Sequence, residues 1–472
     1  MTVIFDAPIT RGDLKGKRAT IVGLGKGRTS SGLAKFLVAN GARVTVTDAK
    51  PREALSEGIG RMGDTQVELV LGPSSDDAAI ADADLVFVIP GVRPRSATIL
   101  RALQRDIPVM TEIGLFFRLC PAPIVGVTGT KGKTTTTTML EQILARGKRR
   151  MFSGGNIGRA IIQELDSITK DDIVLLELSS FQLETLGRSP HIAVITNVGE
   201  DHLDHHGTRD AYVAAKRNIL AWQGPKDIAV LNLDDHAVVA MDTGSAGEVR
   251  GFSLTQRPKR GAFLDPNGML SLAEGGAAIP LVSASQLKVP GRHNISNALA
   301  AAVAGFAAGV EPVAIGDALR AFEGVPRRLQ TVGERDGVLF VNDSAATTPA
   351  ATITALDAFD RPAVVILGGV GKGADFNGLA KVVAKRARAA VLIGQAADDI
   401  AAALAVAGTG KFPMIRASTL ADAVRKAAAL AQPGDLVLLS PACASFDMFS
   451  SADDRGDQFV ALVRKLLEGA PG

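Results

Sequence analysis

Residues 124–136 read IVGVTGTKGKTTT, and this stretch decides the fold of the chain. A short β-branched run passes into a glycine-containing loop and then into a segment that begins a helix. Glycines in such a loop let backbone N–H groups converge on a phosphate, and the helix N-terminus adds positive potential. Lys133 can reach the outer phosphates of a nucleoside triphosphate, and Thr134 can hold Mg²⁺. The predicted ATP-binding loop comprises Gly129, Thr130, Lys131, Gly132, Lys133, Thr134 and Thr135.

The loop is a shortened form of the usual G-x-x-x-x-G-K-[ST] motif, because Val127 stands where the first glycine would be. With 50 glycines in 472 residues, a chance match is the alternative. The strand IVGVTG directly before the loop supplies the structural context that the motif requires, and therefore favours a phosphate-binding loop.

Short apolar runs alternate with helical stretches on both sides of this loop, and each run ends in small or polar residues. Examples are RATIVG (18–23), RVTVTD (43–48), IVLLELS (173–179), IAVITNV (192–198), GVLFVND (337–343) and AVVILGG (363–369). This rhythm predicts an α/β protein of three domains, each built on a mainly parallel sheet. We expect a Rossmann-like domain in residues 1–112, a P-loop-type domain in 113–324 and a second Rossmann-like domain in 325–472.

Composition excludes several other classes of protein. Hydrophobic residues make up 46% of the chain and charged residues 21%, which is too apolar for a disordered chain. The net charge of +3 and the single Trp and Tyr argue against nucleic-acid binding. The longest apolar stretch, residues 298–310, is too short to span a membrane and predicts a core helix. Two cysteines exclude a disulfide framework, and residues 1–18 do not read as a secretion signal, so we expect a cytoplasmic protein.

A second glycine turn lies near the start of the chain. Gly23, Gly25 and Gly27 follow a predicted strand, and Asp48 ends the next strand. Because Arg28 stands at the third position of G-x-G-x-x-G, the dinucleotide fingerprint is incomplete and a nicotinamide cofactor is not expected. The turn either contacts another nucleotide or is a tight strand–helix connection with no ligand.

Three of the six histidines lie together in EDHLDHH, residues 200–206, just after a predicted strand. Glu177 ends another strand. Carboxylates beside a triphosphate favour Mg²⁺ or Mn²⁺ over zinc at such a cluster. A solvated loop with incidental histidines is the alternative. Composition alone makes Lys216 an ordinary helix-surface lysine.

Several motifs taken together resemble those of the Mur ligases, and the resemblance runs through all three predicted domains. The motifs are GTKGKTTT (129–136), GGNIG (154–158), LELSSFQLE (176–184), NVGEDHLDHHG (197–207), AAKRNI (214–219), PGRHNISNALAA (290–301), NDSAATT (342–348) and SPACASFDMF (440–449). The resemblance implies an ATP-dependent amide ligase that adds D-glutamate to UDP-N-acetylmuramoyl-L-alanine through an acyl phosphate, in cytoplasmic peptidoglycan precursor synthesis. It also implies small-molecule substrates, no nucleic-acid partner, no membrane span and a monomer.

The resemblance assigns a role to particular residues. Lys133, Glu177, His202 and Lys216 would be catalytic. Thr134 and Glu177 would hold the Mg²⁺ bound to ATP, and His202 would hold a second Mg²⁺ together with a carbamylated Lys216. Asn297, Arg328 and Asp343 would contact ATP. Gly25, Lys26, Gly27, Asp48 and Asn156 would bind the UDP-linked substrate, and Thr347, Lys372 and Ser445 would bind the incoming amino acid.

Four residues of the third domain depart from the family pattern, namely Ala345, Arg327, Val370 and Ala452. They leave the identity and handedness of the added amino acid less well supported than the ATP site. The alternatives are a related Mur-type or folylpolyglutamate-type ligase that adds another amino acid, such as L-glutamate, and a nucleotide-binding regulator without turnover. Binding alone does not need a second metal site, so the four catalytic candidates together argue against the regulator.

Overall fold

The computed structural model describes residues 6–25, 27–73, 75–156, 160–241, 246–289, 291–371, 373–408 and 410–469, without the side chain of Asp204. The chain forms two compact units, Met1–Phe322 and Glu323–Gly472. The first unit contains two sheets and the second contains one. The predicted domain boundaries at residues 112 and 324 stay predictions.

The first sheet has five parallel strands in the order β3-β2-β1-β4-β5. Its strands are β1 (Arg18–Val22), β2 (Arg43–Asp48), β3 (Val67–Leu71), β4 (Leu85–Val88) and β5 (Val109–Thr111). The helices are α1 (Arg28–Ala39), α2 (Ser56–Met62), α3 (Ser75–Ile80), α4 (Ala97–Gln104) and α5 (Glu112–Leu119). Because the strand order reverses beside β1, the loop after β1 lies where open α/β sheets bind ligands.

The second sheet has nine strands in the order β14-β13-β12-β11-β10-β9-β6-β8-β7, and among the described residues only its β12–β13 and β13–β14 pairings are antiparallel. Its strands are β6 (Ile124–Thr128), β7 (Met151–Gly155), β8 (Ile173–Glu177), β9 (Ile192–Ile195), β10 (Ile228–Asn232), β11 (Glu248–Ser253), β12 (Gly261–Leu264), β13 (Met269–Glu274) and β14 (Ala277–Ser283). The helices are α6 (Lys133–Leu144), α7 (Ser180–Leu183), α8 (Leu203–His206), α9 (Arg209–Arg217), α10 (His236–Val239), α11 (Arg292–Ala307) and α12 (Pro312–Ala321).

The third sheet has six strands in the order β15-β16-β20-β17-β18-β19, of which only β15 is antiparallel to its neighbour. Its strands are β15 (Gln330–Arg335), β16 (Val338–Asn342), β17 (Ala363–Gly368), β18 (Ala387–Ile393), β19 (Met414–Arg416) and β20 (Leu436–Leu439). The helices are α13 (Pro349–Asp357), α14 (Asn377–Arg386), α15 (Ala397–Ala407), α16 (Leu420–Leu430) and α17 (Ala452–Leu467). The predicted fold class, with three mainly parallel sheets, is therefore confirmed.

Strands β6, β8 and β9 are buried along their whole length, which explains their continuous apolar sequences. Helix α11 packs on α6, and its residues 297–305 are buried, so the predicted core helix is confirmed. Among the described residues, no helix is long and apolar enough to cross a membrane. Packing of α11 behind α6 fixes the helix that carries the predicted phosphate loop.

Candidate active site

The loop between β6 and α6 needs glycine at two positions. Gly129 has φ 154° and Gly132 has φ 80°. A Cβ on Gly129 would lie 1.9 Å from Thr196 Oγ1, and one on Gly132 would lie 2.3 Å from Asn297 Oδ1. The N-cap residue of α6 is Gly132, which has no side chain to cap the helix. The end of this helix therefore keeps the donor-rich character of an anion site.

The residues that follow β9 hold the loop in place. Asn197 accepts hydrogen bonds from Thr130 N and from Lys131 N, each at 2.9 Å, and its Nδ2 donates to Lys131 O at 2.8 Å. Thr196 Oγ1 also donates to Lys131 O, at 2.7 Å. Because β9 lies next to β6 in the sheet, the strand end of one supports the loop of the other. Sequence reasoning missed this support, although both residues end an apolar run.

Two lysines from distant parts of the sequence meet at this loop. Lys133 Nζ donates to Gly129 O at 2.9 Å and to Thr130 O at 3.0 Å, and Lys216 Nζ donates to Gly129 O at 2.8 Å. Lys216 is buried in α9, so the helix-surface interpretation from composition was wrong. Burial, with the nearby charge of Lys133, lowers the pKa of Lys216 to about 7. An anion in the loop would be attracted by Lys133, and by Lys216 only when its amine is protonated.

Tyr212 links the loop to the histidine segment. Its hydroxyl donates to Thr130 Oγ1 at 3.0 Å, and Lys216 Nζ lies 4.7 Å from the centre of its ring. The ring of His206 contacts Tyr212 edge-on with centroids 5.4 Å apart. Tyr212 was not among the predicted site residues, and its burial in α9 beside Lys216 could not be read from the local sequence.

Glu177 is buried at the end of β8. Asn156 Nδ2 donates to its Oε1 at 2.9 Å, while its Oε2 is buried and has no hydrogen-bond partner among the described residues. A buried carboxylate oxygen without a partner costs free energy unless a cation or donor reaches it. Glu177 therefore fits the predicted role of an oxygen ligand, and Asn156 positions it.

The three clustered histidines have different surroundings. His202 is half exposed, has φ 52°, and its ring lies 4.9 Å from that of Phe181. His205 Nε2 pairs with Glu184 Oε2 at 2.9 Å. His206 is buried, its Nε2 hydrogen-bonds Ser180 Oγ at 3.0 Å, and burial lowers its pKa. Of these three histidines, His202 has the most exposed side chain. It is therefore the one that a metal ion on a bound nucleotide could reach.

In the first glycine turn, the carboxylate of Asp48 accepts hydrogen bonds from backbone N–H groups. Asp48 Oδ2 accepts hydrogen bonds from Leu24 N at 3.0 Å and Gly25 N at 3.1 Å, and its Oδ1 accepts one from Lys50 N at 3.0 Å. Burial raises the pKa of Asp48, but these N–H groups outweigh it and leave the pKa below its ordinary value. Gly27 is needed because a Cβ there would lie 2.7 Å from Gly58. Lys26 lies outside the described residues.

In the second unit, Arg328 and Asp343 line one cavity of about 270 Å³ together with Ala345. Asp343 hydrogen-bonds Ser440 Oγ at 2.7 Å and Leu329 N at 3.2 Å, and its burial raises its pKa to about 6. Ala345 stands at this cavity in place of the lysine of the family pattern. The cavity brings together two of the predicted ATP-contacting residues.

Of the predicted amino-acid pocket, Thr347 is exposed, Ser445 is buried, and Lys372 lies outside the described residues. Ser445 Oγ has no hydrogen-bond partner among the described residues. Two of the departures from the family pattern contact distant segments of the second unit: Val370 pairs with Ala444 as an isolated β-bridge, and Ala452 O accepts a hydrogen bond from Ser344 Oγ. Arg327 forms a two-bond ion pair with Asp457.

Arg455 supports the segment that carries Ser445. It is completely buried, its Nε donates to Ser344 Oγ at 3.0 Å, and its terminal nitrogens donate to Cys443 O at 3.2 Å. Burial lowers the pKa of Arg455 to about 10. Sequence reasoning missed this residue because the surrounding ADDRGDQ reads as a solvated helix start.

A phosphate-type loop with two converging lysines, next to a buried carboxylate at the ends of parallel strands, defines an enzyme of the P-loop nucleotide-binding class. The chain belongs to the Mur ligase family. Its sequence matches the Mur ligase MurD-like N-terminal domain over residues 17–111, the Mur ligase middle domain over 127–305, and the glutamate ligase domain of Mur ligases over 327–443. The predicted family resemblance is confirmed.

Similar curated proteins are named UDP-N-acetylmuramoylalanine–D-glutamate ligase. The protein of Symbiobacterium thermophilum is 40% identical, covering 95% of this chain and 98% of the relative. The protein of Pelotomaculum thermopropionicum is 39% identical, covering 96% and 99%. Among solved structures, UDP-N-acetylmuramate-alanine ligase of Thermotoga maritima has a TM-score of 0.53 at 21% identity, covering 95% of this chain and all of that chain, which supports the fold.

Proposed function

We propose that this chain is an ATP-dependent, ADP-forming ligase that joins D-glutamate to UDP-N-acetylmuramoyl-L-alanine during peptidoglycan precursor synthesis. One observation carries the catalytic part of this proposal: Lys133 and Lys216 converge on the carbonyl of Gly129 in the phosphate loop. The names of the curated relatives support the choice of substrates. The alternatives, another amino-acid ligase or a regulator without turnover, are not favoured.

The reaction needs two steps because a carboxylate does not lose oxide to an amine. The γ-phosphoryl group of ATP is first transferred to the carboxylate of L-alanine, which forms an acyl phosphate and releases ADP. The amine of D-glutamate then attacks the acyl carbon, the C–O bond to phosphate breaks, and the amine loses a proton as the amide forms. Phosphate is the leaving group, so atoms and charge balance over the two steps.

Bringing the carboxylate to the triphosphate places negative charges close together. At 4 Å this repulsion is about 1 kcal/mol per pair in water and about 4 kcal/mol at an effective dielectric of 20. Lys133 lies where it can offset that charge, since its ammonium group already bonds the loop that would hold the phosphates. Asn297 lies directly behind Gly132 and is proposed to contact adenine.

We propose two Mg²⁺ sites, one held by Thr134 and Glu177 and one by His202 and Lys216. Glu177 fits this role because its buried Oε2 has no other partner among the residues described. Oxygen ligands suit Mg²⁺. Bound Mg²⁺ would neutralise charge on the phosphates and on the transferring group.

We further propose that Lys216 carries a carbamate, which would turn a cation into an oxygen ligand. Its amine would add to CO₂, form an N–C bond and lose a proton, and only the neutral amine can do so. A pKa lowered to about 7 makes the neutral amine abundant near neutral pH. The burial and hydrogen bond of Lys216 hold the group beside the phosphate loop.

Lys216→Ala should therefore be nearly inactive, and a short carboxylic acid should restore part of its activity by entering the space of the carbamate. Lys216→Arg is the matched control, because arginine keeps a cation but does not form a carbamate, and we expect no rescue. The measurement is ADP release with and without the acid. Normal activity of the alanine variant would contradict the assignment.

The remaining residue roles are proposed from the resemblance to the Mur ligase family. Arg328 and Asp343 would contact ATP, and their shared cavity supports a common ligand. Thr347, Lys372 and Ser445 would bind glutamate. Gly25, Lys26, Gly27, Asp48 and Asn156 would bind the UDP-linked substrate, although Asp48 and Asn156 also make hydrogen bonds within the protein. We also propose a monomer that acts in the cytoplasm, where ATP and UDP-linked precursors are available.

The test is amino-acid-dependent ADP release with UDP-N-acetylmuramoyl-L-alanine, comparing D-glutamate, L-glutamate, glycine and L-lysine under the same conditions. We expect D-glutamate alone to support rapid release and to yield a product heavier by one glutamyl residue. Preference for another amino acid would replace the substrate assignment. Absence of ADP release with all four would contradict the ligase assignment.

A further inference from the structure

A group of potential metal ligands lies beside the active site and is not used by the proposed reaction. It consists of Glu184, His205 and His206, and their ligand atoms all lie within 4.8 Å of one another. Glu184 directly follows α7, whereas both histidines belong to α8. The group therefore connects two segments that are distant in sequence.

The distances within the group suit a single small cation. Glu184 Oε2 lies 2.9 Å from His205 Nε2 and 3.7 Å from His206 Nδ1. Ligand atoms around a tetrahedral Zn²⁺ are separated by about 3.4 Å, since each bond is about 2.1 Å long. Shifts of about 0.5 Å or less would bring these two distances to that value, and the ligand atoms of the two histidines lie within 4.8 Å of each other.

His206 provides an independent indication of a ligand. Its ring is buried, with 1% of the side chain exposed, and its Nδ1 has no hydrogen-bond partner among the described residues. Its other nitrogen, Nε2, is held by Ser180 Oγ at 3.0 Å. When Nε2–H donates to Ser180, Nδ1 carries the lone pair that a metal needs, and such a second contact is typical of metal-binding histidines.

We propose that Glu184, His205 and His206 form a binding site for a divalent transition metal such as Zn²⁺, separate from the Mg²⁺ sites of the reaction. Two imidazoles and one carboxylate are donors that favour Zn²⁺, Co²⁺ or Ni²⁺ over Mg²⁺. The site has three protein ligands and leaves a fourth position for water. Bound metal would cross-link the end of α7 to α8 and so fix the segment that begins at His202.

The simpler account is that His205 and Glu184 only form an ion pair. The chain offers a matched control for that account, because His191 Nδ1 pairs with Asp227 Oδ1 at 2.8 Å without belonging to any group of three ligands among the described residues. A histidine–carboxylate pair alone should not bind Zn²⁺ tightly. The two pairs can therefore be compared within one protein.

The test is titration of the chelator-treated full-length protein with Zn²⁺ alone, monitored by competition with a metal indicator, and with Co²⁺ alone, monitored by visible absorption. We expect one tight Zn²⁺ per chain, a tetrahedral Co²⁺ spectrum, and little displacement by millimolar Mg²⁺. His205→Ala and Glu184→Gln should each weaken Zn²⁺ binding by at least about tenfold, whereas His191→Ala should not.

Circular dichroism checks that each variant folds, and Glu184→Gln, which keeps the size of the side chain, decides the matter if His205→Ala does not fold. Binding that survives in the two ligand variants would overturn the proposal. Equal loss in His202→Ala would place the ion at the active site instead and would also overturn it. Absence of binding tighter than about 100 μM would leave only the ion pair, since useful transition-metal sites of this ligand type bind far more tightly.

Discussion

Two glycine loops of the first unit have the same strand–loop–helix plan but opposite electrostatics. After β1, the carboxylate of Asp48 accepts hydrogen bonds from the turn itself. After β6, the side-chain nitrogens of Lys133 and Lys216 both donate to one carbonyl of the loop. The first turn contains its own anion, and the second is prepared for an anion from outside. Glycine spacing alone does not distinguish these cases, because Asp48 lies 23 residues after Gly25 and Lys216 lies 87 residues after Gly129.

We expect the largest effect on the reaction rate from loss of Lys133 at the second loop. Lys133→Ala should lower the rate of ligation by at least about a hundredfold, because losing one donor that stabilises charge on the transferring group costs roughly 3 kcal/mol. The fold should persist, since no core cavity forms. The rate is measured by ADP release, and thermal unfolding checks the fold.

Lys35→Ala is the matched control, since Lys35 is an exposed lysine on the helix that follows the first turn. It should behave like the wild type. Turnover of Lys133→Ala above a tenth of the wild-type rate would remove the catalytic assignment of the second loop.

Another carboxylate of the first unit, that of Glu112, can be compared with that of Asp48. Glu112 is buried and accepts one hydrogen bond, from Ile162 N at 3.1 Å, whereas Asp48 accepts three. Burial raises the pKa of Glu112 to about 7, because Glu112 is more deeply buried than Asp48 and only one donor offsets the burial.

Between about pH 4.3 and 7 the folded chain holds a proton on Glu112 that the unfolded chain has lost, so stability should fall as the pH rises, by roughly 3 kcal/mol in all. Glu112→Gln should remove this loss and melt at a higher temperature than the wild type at pH 8. Thermal unfolding at a series of pH values measures the effect. Parallel curves for the two proteins would show that Glu112 is charged in the folded state.

A smaller and local effect is expected at the first turn. Asp48→Ala leaves the N–H groups of Leu24, Gly25 and Lys50 without their acceptor, which should cost about 1–3 kcal/mol in local stability. Hydrogen exchange in a peptide covering residues 18–30 should therefore accelerate by about tenfold. Asp64→Ala, which removes an exposed carboxylate of the same region, serves as the control. A raised KM for the UDP-linked substrate would support the proposed role of Asp48 in substrate binding, whereas unchanged exchange would show that Asp48 does not stabilise the turn.

Much of the fold and part of the site could be predicted from sequence. Apolar runs such as IVGVTG and IAVITNV are buried parallel strands, because strands covered on both faces read as continuous apolar sequence. The phosphate loop was predicted from its glycines and Lys133, and that role stays a prediction. The burial of Lys216 could not be derived from its local helix pattern, and its place in the site was predicted only from the family resemblance. The roles of Asn197, Tyr212 and Arg455 depend on contacts between distant segments, which spacing along the chain does not encode.

Equilibrium binding of ATP in the presence of Mg²⁺ tests the central distinction between the two loops most directly. Calorimetry on the wild type, Lys133→Ala and Asp48→Ala should give one ATP per chain for the wild type. We expect binding at least about tenfold weaker for Lys133→Ala, since a charge-assisted contact contributes about 1.5–3 kcal/mol, and little change for Asp48→Ala. Wild-type affinity in Lys133→Ala, or an equal loss in Asp48→Ala, would contradict the account.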